Sequence, residues 1–392
     1  MTTVDPEDLP LAGLRVVEVS TFVAAPLGGM TLAQLGADVV RVDPLGGAPD
    51  HARWPLAESG TSLYWAGLNK GKRSLEADLR SEEGQELVTS LIERSGEDGR
   101  ILLTNAVGRR FLSYETLAAR IPGLIQLQVE GRADGTPAVD YTVNAGVGFP
   151  MVTGPADQAD PVNHVLPAWD IACGLYASTA ILAAERRRRR TGRGQHLQVA
   201  LHDVALAMAG NLGFLAEAQV GRGERRRMGN YLYGGFARDF VTRDGGRVMV
   251  VALTKRHWSD LLDASGLRGP VTALEQALGA DFATDDDRFA HREALAGLFA
   301  KWIGELDLAE VTARLEHTSL LWEQYRTFGD LVADDGAAIR DEPVIGDVDQ
   351  PGVGRYLAPA SPVALDGART PIVRAPVLGE HTEAVVKDWL GG

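Results

Sequence analysis

Asp170, in the run VNHVLPAWDIACG, is the residue whose type and setting best suit covalent chemistry in this 392-residue chain. Pro167 and a short polar lead-in precede apolar residues at Ile171, Leu175 and Leu182, which predicts a helix with Asp170 at or beside its N-cap. Free backbone N–H groups and the helix dipole there favour an ionised carboxylate, the form that can attack an electrophile. By spacing alone a plain capping role is the favoured reading, since Asp is among the commonest caps. The lone Cys173 excludes an internal disulfide and any cysteine-rich metal site, and the eight histidines show no HExxH or similar ligand spacing. Metal-free chemistry is the expectation.

The elements that must position Asp170 alternate along the chain. Residues 13–44 read as strand, loop, helix, strand: GLRVVEVS, MTLAQLGA and DVVRVDP form one βαβ unit. Its first turn, STFVAAPLGG, lacks the GxGxxG that cradles a dinucleotide, which disfavours NAD and FAD. Helical SEEGQELVTSLIERS, strand-like GRILLTNA, helical SYETLAARI and strand-like LIQLQVEG continue the pattern of an open parallel sheet with helices on both faces. A helix over about 171–190, a strand HLQVAL and a long helix over about 203–220 follow. The arginine run 186–190 then falls at a helix C-terminus, where cations complement the dipole.

GRGERRRMGN marks a boundary. Beyond it, GGFARDFVTRDGGRVMVVAL reads as a strand pair around a DGG turn, and helical material runs to about residue 333. Residues 334–376 are rich in Pro, Gly and Asp, and HTEAVVKDWL closes the chain as a helix. The expected fold is α/β: a Rossmann-like large domain with an open parallel sheet over 1–222, a smaller α+β domain over 223–333, and a return segment over 334–392 that completes the first. With 39 basic and 53 acidic residues the net charge is −14, which disfavours an extended grip on nucleic acid or an anionic membrane. No run approaches the roughly 18 apolar residues of a membrane span, and MTTVDPEDLP lacks a secretory layout, so a cytoplasmic protein is expected.

Taken in order, LAGLRVVEVS, LGADVVRVDP, LNKGKRSLEADLRSEEGQEL, the Asn105 region, the Asp170 helix with TGRGQHLQVAL, and RAPVLGEHTE resemble the class III CoA-transferases. This family includes formyl-CoA and carnitine CoA-transferases and α-methylacyl-CoA racemase. FVAAPLGGMTLAQLGADV, YWAGLNKGKRS, VDYTVN, VNHVLPAWDI and GNYLYG most resemble members that move CoA between the two carboxyl groups of mesaconate, a methyl-branched unsaturated C4 diacid. The resemblance implies that Asp170 is the nucleophile, passing through a mixed anhydride and an aspartyl-CoA thioester. A CoA thioester is then the substrate, no cofactor is permanently bound, and an interlocked homodimer is expected.

Other roles are implied by the same resemblance. Gly234 and Gly235 match a glycine loop that offers backbone N–H groups near the nucleophile, although they also read as a turn pair. A glutamine common in the family aligns with Val23, leaving the Val23 and Ala24 backbone as the contact. Lys72 matches a CoA-contacting lysine, with Asn69 and Asn105 nearby; taken by residue type alone it reads as a surface lysine. A family arginine aligns with Pro44, so Arg41, Arg73, Arg109 and Arg110 are candidate phosphate contacts. The histidine needed for racemisation is replaced in AVDYTVN by Val139 and Asp140, which argues against two-base proton exchange. Asp140 either orients the site or occupies a turn, and His164 is structural or positions substrate. Two alternatives stay open: CoA transfer to a separate acid through the same Asp170, and a non-catalytic acyl-CoA-binding protein.

Overall fold

The computed structural model describes residues 5–221 and 225–391. The chain divides into two compact units, one of Met1–Val147, His164–Val220 and Val332–Gly392, the other of Gly148–Asn163 and Gly221–Leu331. The boundary expected at 222/223 lies outside the described residues. Gly148–Asn163 belongs to the second unit, which local pattern did not reveal. What ties this segment there is distant in sequence: the Arg227 guanidinium donates to the carbonyls of Met151 (2.9 Å), Gln158 (2.5 Å) and Asp160 (2.6 Å).

In the first unit six strands, β1 Arg15–Val19, β2 Asp38–Pro44, β3 Arg73–Ala77, β4 Ile101–Thr104, β5 Ile125–Glu130 and β6 Gln195–Ala200, form one parallel sheet of order β3-β2-β1-β4-β5-β6. Apolar runs such as VVEV and ILLT are buried throughout, as a parallel sheet covered on both faces requires. β3 has little β-branched signal and owes its conformation to pairing with β2. The strand order reverses between β1 and β4, and in such sheets ligands bind outside the carboxyl ends at that switch point.

The helices of this unit and of the segment after α5 are α1 Ala24–Gln34, α2 Leu63–Leu68, α3 Glu82–Glu93, α4 Tyr114–Arg120, α5 Asp140–Gly146, α6 Phe149–Val152, α7 Ala168–Thr191, α8 Leu201–Asn211 and α9 Phe214–Val220. Of these α6 lies in the second unit. Helices α1 and α7 approach backbone to backbone through glycine. A Cβ on Gly174 would stand 2.6 Å from the Ala24 carbonyl, and one on Gly28 would stand 3.0 Å from the Gly174 carbonyl. The single helix expected over 203–220 is instead two, because Gly213 turns the chain at φ +83°. The arginine run does close α7, before Gly192 at φ +69°. Arg188 is buried and donates to the carbonyls of Gly99 (2.6 Å) and Gly123 (3.2 Å), tying the helix end to the sheet.

The return segment includes an antiparallel hairpin, Ile345–Gln350 with Gly354–Pro359, and the helix Thr382–Leu390. Val385 and Trp389 of that helix sit in the same core as Val40, Leu75 and Val88. The second unit is built on an antiparallel sheet of Phe236–Val241, Arg247–Ala252 and Leu321–Gln324, covered by helices around Phe236, Phe240, Trp258 and Phe299. Its third strand falls where helix was expected, since LWEQ has no strand signal until it meets the neighbouring edge. Among the described residues no helix is long and apolar enough to cross a membrane.

Candidate active site

Asp170 is the third residue of α7 and does not cap it; the cap position falls on Pro167, which offers no side-chain acceptor. The acceptor comes from Asp140, the first residue of α5. Its Oδ2 accepts the Trp169 N–H at 2.7 Å and the Asp170 N–H at 3.3 Å, while Oδ1 lies 3.0 Å from His164 Nε2. An ionised carboxylate only accepts, so His164 is the donor. Trp169 Nε1 donates to Asn144 Oδ1 at 3.0 Å, pinning α5 to the same helix start. The N-cap reading of Asp170 and the turn reading of Asp140 are therefore corrected together. A second, buried carboxylate satisfies the helix terminus and leaves the Asp170 side chain available.

The sequence also suggested that the helix terminus keeps Asp170 ionised, and here the balance is reversed. Burial pushes its carboxyl up to about 7, the Asp140 charge pushes the same way, and Arg53 pulls down. Reaction through the Asp170 carboxylate should then gain rate as pH rises through about 7 and lose it below. Asp140→Asn removes a negative charge but retains one acceptor oxygen. The acid limb of the kcat/KM profile should shift to lower pH by about half a unit or more. An unmoved limb would separate Asp140 from the ionisation of Asp170.

At the switch point the turn after β1 is held from both sides. Asn105, just beyond β4, accepts the Thr21 N–H at 3.0 Å and donates to the Thr21 carbonyl at 2.8 Å. Phe22 adopts φ +67°, a left-handed conformation costly for a bulky side chain, and its N–H donates to Asp50 Oδ2 at 3.0 Å. The Arg53 guanidinium lies 5.3 Å from the Phe22 ring centroid and 4.8 Å from that of Tyr64. Burial pushes the Tyr64 phenol up to about 12, so it stays a protonated donor. Sequence reasoning gave no role to Arg53, which lies outside the quoted motifs, or to Phe22 and Tyr64, which open two of them, because only folding brings the two rings against the Arg53 guanidinium.

Val23 and Ala24 are buried at the start of α1, whose first-turn N–H groups lack intrahelical partners. The Gly174 approach brings that turn alongside the first turns of α7. Lys72 is neither a surface lysine nor positioned for a phosphate. Its ammonium donates to Glu18 Oε1, the Pro26 carbonyl and Asn69 Oδ1, each at 2.8 Å, which uses all three protons in a buried setting. Asn69 is likewise internal, donating to the Trp65 carbonyl and accepting from Arg41 and Lys72. Arg41 is fully buried against Asp43 and Asp50, and Arg73 pairs with Asp38 and Asp388, which removes both as phosphate contacts. Arg109 and Arg110 are exposed after β4, at the start of a short 3-10 helix, Arg110–Leu112. Gly234 and Gly235 precede the first strand of the second unit; Gly234 has φ +80° with open space at its Cβ position, as a turn glycine does. Among the described residues no cluster of three or more His, Cys, Asp or Glu could hold a metal ion.

A carboxylate freed from capping, raised in pKa and within reach of an arginine's charge suits attack on a carbonyl. Residues 11–382 match the model of CoA-transferase family III. The chain belongs to that family. Over 97% of its length it is 50% identical to a 2-methylfumaryl-CoA isomerase of Chloroflexus aurantiacus, 94% of which is covered. A succinyl-CoA:mesaconate CoA-transferase of Haloarcula hispanica is 30% identical over 95% of this chain and 94% of its own. In three dimensions the family III fold here is similar to the crystal structure of a CAIB/BAIF family protein from Brucella suis. That likeness has a TM-score of 0.78 at 28% identity and covers 97% of this chain and 99% of the other.

Proposed function

We propose that this family III protein interconverts the two CoA thioesters of mesaconate, 2-methylfumaryl-CoA and 3-methylfumaryl-CoA, within one bound molecule. The 50% identity to a 2-methylfumaryl-CoA isomerase along 97% of the chain carries this reading. The Asp170 carboxylate attacks the thioester carbonyl, forming a mixed anhydride and expelling CoA thiolate. The thiolate attacks the Asp170 carbonyl carbon, giving an aspartyl-CoA thioester and free mesaconate. The other mesaconate carboxylate attacks that thioester, thiolate leaves again and adds to the mesaconyl carbonyl of the new anhydride, and Asp170 returns as a carboxylate. No proton or electron is gained or lost overall. The Val23 and Ala24 N–H groups at the start of α1 are donors suited to the oxyanions along this path. CoA enters as substrate, not as a resident cofactor. The family resemblance also supports a homodimer, which sedimentation of the purified protein would check, and the lone cysteine suits a reducing cytoplasm.

Retention of the diacid separates this reading from transfer to a separate acid. With unlabelled 2-methylfumaryl-CoA and excess ¹³C-mesaconate, the product ester should carry almost no label, because the held acid competes at an effective concentration far above that in solution. Substantial label in the product, or efficient transfer to added succinate, would favour an intermolecular CoA-transferase.

A further inference from the structure

We infer that Arg53 binds the substrate carboxylate that is not joined to CoA, and that it holds the freed diacid between the two half-reactions. The inference rests on the proposed function for the identity of that diacid. Three observations carry it. Among the described residues, no carboxylate or carbonyl accepts a hydrogen bond from the Arg53 guanidinium, whereas Arg41 and Arg73 in the same unit have theirs occupied. The guanidinium is instead steadied by the Phe22 and Tyr64 rings, while the Arg53 carbonyl accepts the Ser62 hydroxyl at 2.6 Å. These contacts fix its position without using its planar fork of N–H donors. Finally, Arg53 is the cation whose charge opposes burial and Asp140 at Asp170.

An exposed arginine with a free fork, whose charge reaches a nucleophilic carboxylate, matches a second carboxylate on the same substrate. The need for one is electrostatic. Asp140 and Asp170 lie at this end of the sheet, Asp50 being already paired with Arg41, so a mesaconyl ester with an ionised carboxylate is repelled unless a further cation receives it. When CoA passes to Asp170, the released diacid carries two carboxylates. Arg53 passes from the carboxylate it first held to the one just released as the diacid turns end for end, and the carboxylate so freed attacks the aspartyl thioester. The strained Phe22 turn also acquires a role, since it presents one face of the aromatic clamp.

The test compares wild type with Arg53→Gln and Arg53→Lys on 2-methylfumaryl-CoA and on 2-methylbut-2-enoyl-CoA, which lacks the second carboxylate. Acylation of Asp170 is followed by release of free acid. In Arg53→Gln the preference for the diacid ester, a ratio in which the common change in Asp170 ionisation cancels, should fall by about 30- to 100-fold. Incorporation of ¹³C-mesaconate into the isomerised ester should rise by about tenfold or more as the freed diacid escapes. Arg53→Lys should recover part of the preference and little of the retention, because an ammonium lacks the fork. Equal losses on both esters, or unchanged labelling in Arg53→Gln, would reduce Arg53 to a structural residue. If wild type fails to isomerise 2-methylfumaryl-CoA, the proposed function falls; the Arg53 preference is then read with succinyl-CoA against butyryl-CoA, where an unchanged ratio overturns the inference separately.

Discussion

Asp170→Ala is expected to cut turnover of a mesaconyl-CoA ester by about 10⁴-fold or more, leaving a folded protein, because it removes the protein nucleophile on which the proposed path depends. The α7 terminus should survive, since its N–H groups are satisfied by Asp140 and not by Asp170. Hydroxylamine present during turnover should label Asp170 only when an acyl-CoA is supplied. Turnover within about tenfold of wild type would exclude a covalent role. The companion Asp170→Asn reports the cost of keeping this carboxyl buried. Its folded pKa of about 7 lies above the ordinary 3.8, so the unfolded chain gives up the proton first. Raising pH from about 4 to about 7 thus favours unfolding at this site, and the full penalty persists at higher pH. Asp170→Asn should therefore raise the denaturation midpoint above about pH 7 and leave it unchanged below about pH 4. A functional group held at a cost to stability behaves in this way.

Lys72→Met should be the most damaging substitution for stability, costing about 3–5 kcal/mol, because it leaves Glu18 buried without its cation. Burial pushes the Lys72 ammonium down to about 8 even with Glu18 beside it, which still leaves the ammonium mostly charged at neutral pH. Glu18 is packed on its other side too, since a Cβ on Gly29 would collide with Oε2, so the carboxylate has little room to turn toward water. The double variant Glu18→Gln/Lys72→Met should recover a large part of the loss, as it removes both charges. Urea midpoints measure both effects. A fully stable Lys72→Met with a raised KM for CoA esters would restore the phosphate contact that the family resemblance suggested.

Much of this protein could be read from its residues alone. The alternation of apolar strands and amphipathic helices predicted a parallel α/β sheet, because burial on both faces demands continuous apolar runs and covering helices. Pro167 and the apolar spacing after it located the start of α7, and the ordered motifs pointed to the family. What the sequence left undecided is which polar group meets which. Asp170 and Asp140 are thirty residues apart, and both types suit a helix start; only the packing of α5 against α7 makes one the cap and frees the other. Lys72 looks like any surface lysine until β1, α1 and α2 close around its ammonium with three acceptors. Arg53 carries no motif at all, and its free fork is visible only once the Phe22 and Tyr64 rings pack against it. Hydrophobic periodicity is a local property and is written in the order of residues. The partner of a buried charge is a long-range property, and desolvation makes that partner decide whether the group supports the fold or stands ready for chemistry.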